Sequence, residues 1–275
     1  MGRSGSASLP CLPTWRSTIR HPDAEPIRHA RNSALSHRVG HPTRPLHFRY
    51  RYRKVEFMKI GIIGAGNIGG NLARRLTALG HDVSVANSRG PETLKALAEE
   101  TGATPVVATE AARGARIVVV TVPLKAVPDL PSGILDGAAD DVAVIDTGNY
   151  YPQRDGRISA VEEGLTESRW TEQQIGHPVI KAFNGTYAQD ILDKGLPHGT
   201  PGRQALPVAG DDPAAKQAVR DLIDELGFDT VDAGGLDESW RQQPGTPVYG
   251  NRGDAAAIAK ALAEASPERT DEWRA

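Results

Sequence analysis

The sequence predicts an α/β protein: a doubly wound, mainly parallel sheet with a small C-terminal extension and a disordered N-terminal tail. Three observations carry this. From Met58 onward, short apolar runs alternate with segments of helical period, the pattern of strand–helix–strand crossovers. The first run, "KIGII", leads directly into a glycine-rich loop and then a helix. Charge and apolar content change sharply before Met58: residues 1–57 carry 11 Lys and Arg against 3 Asp and Glu, a surplus of +8, whereas residues 58–275 carry −10.

The elements follow in order. Lys59–Ile63 is an apolar strand, and Asn67–Leu79 places Ile68, Leu72, Leu76 and Leu79 on one helical face. Gly80 stops that helix and Asp82–Ala86 resumes the sheet. Pro91–Thr101 reads as a helix with proline in its first turn. Pro105–Val107 is a short strand, Thr109–Gly114 a short helical link, and "RIVVVTV" (116–122) a strand buried on both faces. Val142–Asp146 and Val179–Phe183 are the fifth and sixth strands. A further βαβ unit follows: Ala205–Ala209, then a helix opened by Asp211-Asp212-Pro213 with Ala218, Leu222, Ile223 and Leu226 inward and closed by Gly227, then Phe228–Asp232. Arg252–Ala265 is an Ala-rich helix. The expected organisation is a tail over 1–57, an α/β domain with its extra βαβ unit over 58–250, and a C-terminal helix over 251–275.

The tail is rich in Arg, His, Pro and Ser and has few apolar positions to bury, so disorder is expected. Three readings of it compete. It is an upstream extension of a chain starting at Met58, a cleaved transit peptide, or a basic arm of which "HFRYRYRK" is the aromatic-cationic part. The first is preferred, so no nucleic-acid partner is expected. Its five histidines have neither regular spacing nor cysteine partners, and no metal site is expected anywhere in the chain. The single cysteine, Cys11, excludes an intrachain disulfide, and no apolar run approaches the roughly 20 residues that span a bilayer. A cytoplasmic location without a membrane partner is the reading; a homodimer is the base-rate expectation for assembly.

Gly64-Ala65-Gly66-Asn67-Ile68-Gly69 matches G-x-G-x-x-G between a strand and a helix, the context that makes the pattern informative. Gly64 permits the tight turn, Gly66 leaves room for a pyrophosphate, and Gly69 lets helix and strand pack closely, while the helix N–H groups face the phosphates. The sheet is therefore expected to be Rossmann-like and to bind a dinucleotide. At the end of the second strand, where an NAD site has an acid for the ribose hydroxyls, the chain reads Asn87-Ser88-Arg89. A guanidinium and a hydroxyl attract a 2′-phosphate, which favours NADP(H). The helix beginning at Pro91 is expected to add its positive end, and Lys95 is a weaker helper. After the fourth strand, Val122 and Pro123 are placed to pack along the ribose or nicotinamide. Thr147, Asn149 and Asn184, at the exits of the fifth and sixth strands, are candidates to touch the nicotinamide or its partner, or are polar turn residues. No catalytic acid–base residue stands out: Tyr-x-x-x-Lys occurs only in the tail, and neither His177 nor His198 is beside a strand-end carboxylate in sequence. That pattern favours reduction of a flavin-like ring, where cofactors supply the chemistry, over reduction of a carbonyl.

The segments "MKIGIIGAGNIGGNLARRLTALGHDV", "ANSRGPETL", "VIKAFNGTYA" and "LPVAGDDPAAKQAVRDLIDELGFDTVDAGGL" resemble NADPH-dependent coenzyme F420 reductases over about Met58 to Gly250. The N-terminal half is also similar to pyrroline-5-carboxylate reductases and to the reductase domain of membrane ferric reductases, but neither a long helical dimerisation domain nor membrane spans are present in the sequence. The resemblance implies hydride transfer between NADP(H) and a deazaflavin, coenzyme F420, as small-molecule redox co-substrate. It implies that Gly64, Gly66 and Gly69 take the pyrophosphate, Ser88 and Arg89 the 2′-phosphate, and that Asn184 lies on the substrate side of the nicotinamide. "LDESWRQQPGTPVYG", after Gly235, departs from that family, which leaves two other readings: NADPH-dependent reduction of an imine, quinone or ferric chelate, or a non-catalytic NADP(H)-sensing regulator.

Overall fold

A computed structural model describes residues 57–275. The readings made for residues 1–56 lie outside the described residues. The main sheet has six parallel strands: β1 (Lys59–Ile63), β2 (Asp82–Ala86), β3 (Thr104–Pro105), β4 (Ile117–Val120), β5 (Ala143–Asp146) and β6 (Val179–Lys181), in spatial order β3-β2-β1-β4-β5-β6. The order reverses between β1 and β4, so the crevice at the carboxyl ends of these two strands is the topological switch point where ligands of such sheets bind. This is the Rossmann-like arrangement the sequence predicts.

The helices are α1 (Asn67–Ala78), α2 (Lys95–Thr101), α3 (Pro152–Asp155), α4 (Ser159–Glu162), α5 (Glu167–Ile175), α6 (Ala188–Asp193), α7 (Pro213–Leu226) and α8 (Ala255–Glu264). Alternate residues of the strands serve two cores. Ile60, Ile62, Val83, Val85, Ile117, Val119 and Ile145 pack with Leu72 and Leu76 of α1 and Leu222, Ile223 and Leu226 of α7. Ile63, Val118, Val120 and Val144 face the other way, onto Ala111, Ala112, Ile134 and Leu236. That second layer lies close: a Cβ on Gly61 would stand 2.2 Å from the Ala111 carbonyl oxygen.

The extra βαβ unit forms, but not as a continuation of the main sheet. β7 (Ala205–Val208) and β8 (Asp229–Asp232) pair in parallel as a separate two-stranded sheet. It is stitched antiparallel to the end of β6, with Lys181 N–H donating to Ala209 O (2.8 Å) and Ala209 N–H to Lys181 O (3.1 Å). α7 begins as its sequence says: Asp212 Oδ1 accepts from the Ala214 and Ala215 amides (2.7 and 3.1 Å), Pro213 follows, and Gly227 closes the helix at φ +101°. On the other side of the small sheet, α8 contributes Ile258, Ala261 and Leu262 to a third apolar cluster.

Several boundaries differ. The segment Pro91–Thr101 opens as a 3-10 turn (Pro91–Leu94), and regular helix starts only at Lys95. Thr109–Gly114 reduces to a 3-10 turn at Ala108–Glu110. β6 stops at Lys181 because Phe183 turns to φ +63°. Between β5 and β6, α3, α4 and α5 fill a stretch in which the sequence shows no clear period, closing over Leu124, Val127, Tyr150, Val161 and Trp170. No helix of the described residues is long and apolar enough to cross a membrane.

Candidate functional site

The glycine loop occupies the switch point. Gly64 stands at φ +114° and a Cβ on it would lie 2.3 Å from Thr121 O; its amide donates to Ala86 O (2.8 Å), tying loop to β2. A Cβ on Gly69 would lie 1.9 Å from Gly64 O and 2.7 Å from Thr121 Cγ2, so only glycine lets α1 approach the loop this closely. Gly66 differs: it is exposed, and a Cβ there would meet nothing within 4 Å. Gly66 is the N-cap of α1, which has no side-chain cap and no acid in its first turn, leaving its amide end free to face an anion.

The exit of β2 is built around Asn87. Its Oδ1 accepts from the Arg89 amide (2.9 Å) and its Nδ2 donates to Thr93 Oγ1 (2.9 Å), which in turn donates to Gly90 O (2.8 Å). The carboxamide is thus committed to holding the turn, while the exposed side chains of Ser88 and Arg89 project from it. The Arg89 guanidinium makes no ion pair or hydrogen bond among the described residues. Lys95 is elsewhere, exposed beside Glu99 (3.8 Å), and lines no cavity at the loop. The 3-10 opening of the next helix, with Glu92 in it, removes the positive helix end expected at this place.

A cavity of about 690 Å³ opens over the switch point, within the range of small-molecule sites. Gly64, Ala65 and Gly66 form one wall, Asn87, Ser88 and Arg89 a second, and Val122 and Pro123 a third. The carboxylate in its lining, Asp129, comes from the 3-10 segment after β4 and not from the end of β2. A second cavity of about 670 Å³ lies on the other flank of the loop, bounded by Asn67, Asn71 and Arg74 of α1, and shares Ala65, Gly66 and Arg89 with the first. Ile68 packs partly buried against the core and Gly69 is buried; neither lines the first cavity.

Residues 59–150 match the family described as "NADP oxidoreductase coenzyme F420-dependent". The crystal structure of "hypothetical protein SMa0349" from Sinorhizobium meliloti is 30% identical, with a TM-score of 0.59, over 73% of this chain and 96% of that one. The chain belongs to this NADP oxidoreductase family. Its fold is shared by the "putative F420 dependent NADP-reductase" of Arthrobacter sp. FB24, at TM-score 0.53 and 24% identity over 65% of this chain and 85% of that one. The Escherichia coli protein YjhV is 50% identical over 67 residues, 24% of this chain and 49% of YjhV, so the chain spans about half the length of that relative.

In this oxidoreductase-family chain the exits of β5 and β6 hold a second constellation. Asp146 and Lys181 are register partners at the strand ends. Lys181 is 1% exposed; its Nζ donates to Gly148 O (2.5 Å) and lies 3.4 Å from Glu167 and 3.6 Å from Asp146. Asp146 accepts from the Gly148 amide (2.8 Å) and from Ser168 Oγ (2.6 Å), so the turn at Gly148 is gripped at both its N–H and its C=O. Glu167 is completed by Arg269 Nη2 (3.0 Å), which also donates to Gln243 Oε1 (3.0 Å). These buried charges pair off, as burial requires.

The turn thus held presents Asn149, whose Nδ2 donates to Asn184 O (2.8 Å), while Asn184 Nδ2 donates to Asn149 Oδ1 (3.1 Å) and Gln242 O (2.6 Å). Asn184 is 6% exposed and does not line the glycine-loop cavity; the left-handed Phe183 turns it inward onto Gln242. Thr147 is also buried, donating to Val120 O (3.3 Å). Tyr249 reaches the same region, its hydroxyl bonded to that of Tyr151 and its backbone against Gly185. Burial, then the Tyr151 hydroxyl, pushes the Tyr249 phenol well above its ordinary range, and burial together with Glu162 raises Tyr150 to about 12, so both phenols stay neutral.

Sequence reasoning missed Lys181, Asp146, Glu167 and the tyrosine pair. A signal existed for two of them: "VID" and "VIK" are apolar runs that each end in a charge, of opposite sign, at neighbouring strand exits. Elsewhere, His198, Asp224 and Asp229 bring three ligand-type atoms together among the described residues, but Arg203 Nη1 already bridges the two carboxylates at 2.6 and 2.7 Å.

Proposed function

We propose that the chain is an NADP(H)-dependent oxidoreductase whose hydride partner is a deazaflavin of the coenzyme F420 type or a similar flavin-like ring. The observation that carries the dinucleotide is the free guanidinium of Arg89, beside Ser88, at the exit of β2, on the wall of a cavity whose floor is an uncapped helix end and an unobstructed Gly66. An NAD site would have a carboxylate at that strand end. Ser88 and Arg89 would hold the 2′-phosphate, the loop at Gly64–Gly66 and the amides opening α1 the pyrophosphate, and Val122 and Pro123 an apolar face. When bound, the nicotinamide supplies or takes a hydride. The protein's part is to fix the turn through Gly148 and Asn149 beside Asn184, so that a ring resting at the exits of β5 and β6 meets a rigid surface. The acceptor rests on the family match, which covers residues 59–150.

The test mixes the purified protein with NADPH and F420 and follows nicotinamide absorbance. Rapid oxidation with F420 supports the reading. Oxidation only with an imine, quinone or ferric chelate replaces the acceptor, and tight NADPH binding without turnover across that panel replaces the enzyme with a redox sensor.

A further inference from the structure

The turn after β6 carries two independent signs of a binding site. Phe183 is, among the described residues, the non-glycine residue held at positive φ (+63°), a conformation that persists where the surroundings over-determine it. Beside it, Asn184 Oδ1 and both Gln242 amide atoms, Nε2 and Oε1, are buried without a hydrogen-bond partner. Gln242 is 1% exposed. The orphaned set does not depend on how the amides are oriented. Turning Gln242 over exchanges one unpaired atom for another. Asn184 is fixed by the two acceptors of its Nδ2, and Asn149 by its own donation to Asn184 O.

Asn184 and Gln242 line one void of about 10 Å³, walled also by Thr186, Pro207, Val248 and Asn251. That volume admits one water-sized group and no ring. The unpaired atoms are two acceptors and one donor. A water molecule gives each of these atoms a partner, donating to Asn184 Oδ1 and Gln242 Oε1 and accepting from one N–H of Gln242 Nε2. A cation is disfavoured by the donor, and an anion by the two carbonyl oxygens. Buried polar groups in folded proteins are almost always paired with protein or with ordered water.

We propose that Asn184 and Gln242 form a binding site for one ordered water, which bridges their carboxamides and joins the turn after β6 to the segment Leu236–Gly250. The site stands independently of the redox reading. It explains how a segment that departs from the F420 reductases in sequence is nonetheless anchored at the strand exits: Gln242 O accepts from Asn184 directly, and the water supplies the remaining bonds.

A high-resolution crystal structure of the full chain tests this. The expected result is a density peak within hydrogen-bond distance of all three atoms; a dry void, or a Gln242 amide paired directly with protein groups, overturns it. Thermal unfolding of Gln242→Met gives a second readout of opposite sign for the two cases. With the water present, the variant strips it of two partners and the midpoint falls by about 3 °C or more. Without it, methionine relieves two orphaned atoms, and an unchanged or raised midpoint refutes the site. If Gln242→Met does not fold, the wild-type crystal structure decides alone.

Discussion

Replacing Arg89 by alanine should convert a preference for NADPH into near-indifference between NADPH and NADH. The substitution is clean on structural grounds. The turn-holding bond at this position uses the Arg89 backbone amide and Asn87 Oδ1, which alanine keeps, and the side chain makes no other bond among the described residues. The magnitude follows from exposure. A unit charge pair at 4 Å is worth ~1 kcal/mol in water and ~4 at an effective dielectric of 20, and hydrogen bonds to charged groups contribute ~1.5–3 kcal/mol. Arg89 is exposed, and the Glu92 side chain folds against Gly90 next to it, so the lower half applies. A loss of ~1.5–2 kcal/mol weakens NADPH about 10- to 30-fold, while NADH changes by less than about threefold. Calorimetric titration of both dinucleotides at two ionic strengths measures this, and the loss should shrink at higher salt. An unchanged NADPH-to-NADH ratio refutes the 2′-phosphate assignment; equal weakening of both refutes the claim that the turn survives.

Other perturbations separate fold from site. Gly66→Val should keep the melting temperature and lose at least about tenfold in dinucleotide affinity, because its side chain enters open space at the loop, whereas Gly69→Ala should lower stability by about 1–3 kcal/mol by forcing α1 off Gly64 and Thr121. Lys181→Met should cost about 3 kcal/mol or more in denaturant unfolding, since it leaves Asp146 and Glu167 buried without their shared cation. The Asp211 carboxyl is held below its ordinary value, first by the Leu236 amide and, against burial, by Arg169. A depressed carboxyl adds stability that is complete above its unfolded value of ~3.9 and is lost as pH falls through the folded value, so Asp211→Asn should flatten the acid limb of the stability curve below about pH 4 and leave its slope above about pH 5 unchanged.

The elements legible in the sequence are those whose signals are local. β1 and β2 fall at Lys59–Ile63 and Asp82–Ala86 as read, and α7 begins at its Asp-Pro cap and ends at Gly227, because apolar runs, caps and left-handed glycines act within a few residues. The stretch between β5 and β6 was not legible. Its helices are short: α3 and α4 have four residues each, and α5 buries Glu167, Ser168, Trp170 and Thr171, so its inward face is mostly polar. Periodicity of hydrophobic residues cannot find a helix whose buried side chains are held by hydrogen bonds and ion pairs. The separate β7–β8 sheet was hidden for another reason. The pattern strand–helix–strand fixes parallel pairing but not which edge, if any, the pair extends, and here it meets β6 by one antiparallel bridge.

The same distinction divides the site. The half proposed for the dinucleotide is made of consecutive pieces, Gly64–Gly66 and Asn87–Arg89 at neighbouring strand exits and Val122–Pro123 beyond β4, and it offers mainly backbone and steric room, which a short motif specifies. The half at β5 and β6 is assembled from Asp146–Asn149, Glu167, Lys181–Asn184, Gln242–Gln243 and Arg269, brought together over more than 120 residues by bonds that no spacing encodes. Exchange of Leu236–Gly250 alone would replace Gln242 beside Asn184 and Tyr249 beside Tyr151, and leave every wall of the glycine-loop cavity in place. Members of this family that share residues 59–150 and diverge after β8 are therefore expected to keep the dinucleotide and change the acceptor. A chimera carrying a relative's 236–250 segment tests it: NADPH affinity should hold while the acceptor profile shifts, and the reverse outcome would show that the two halves are not separable.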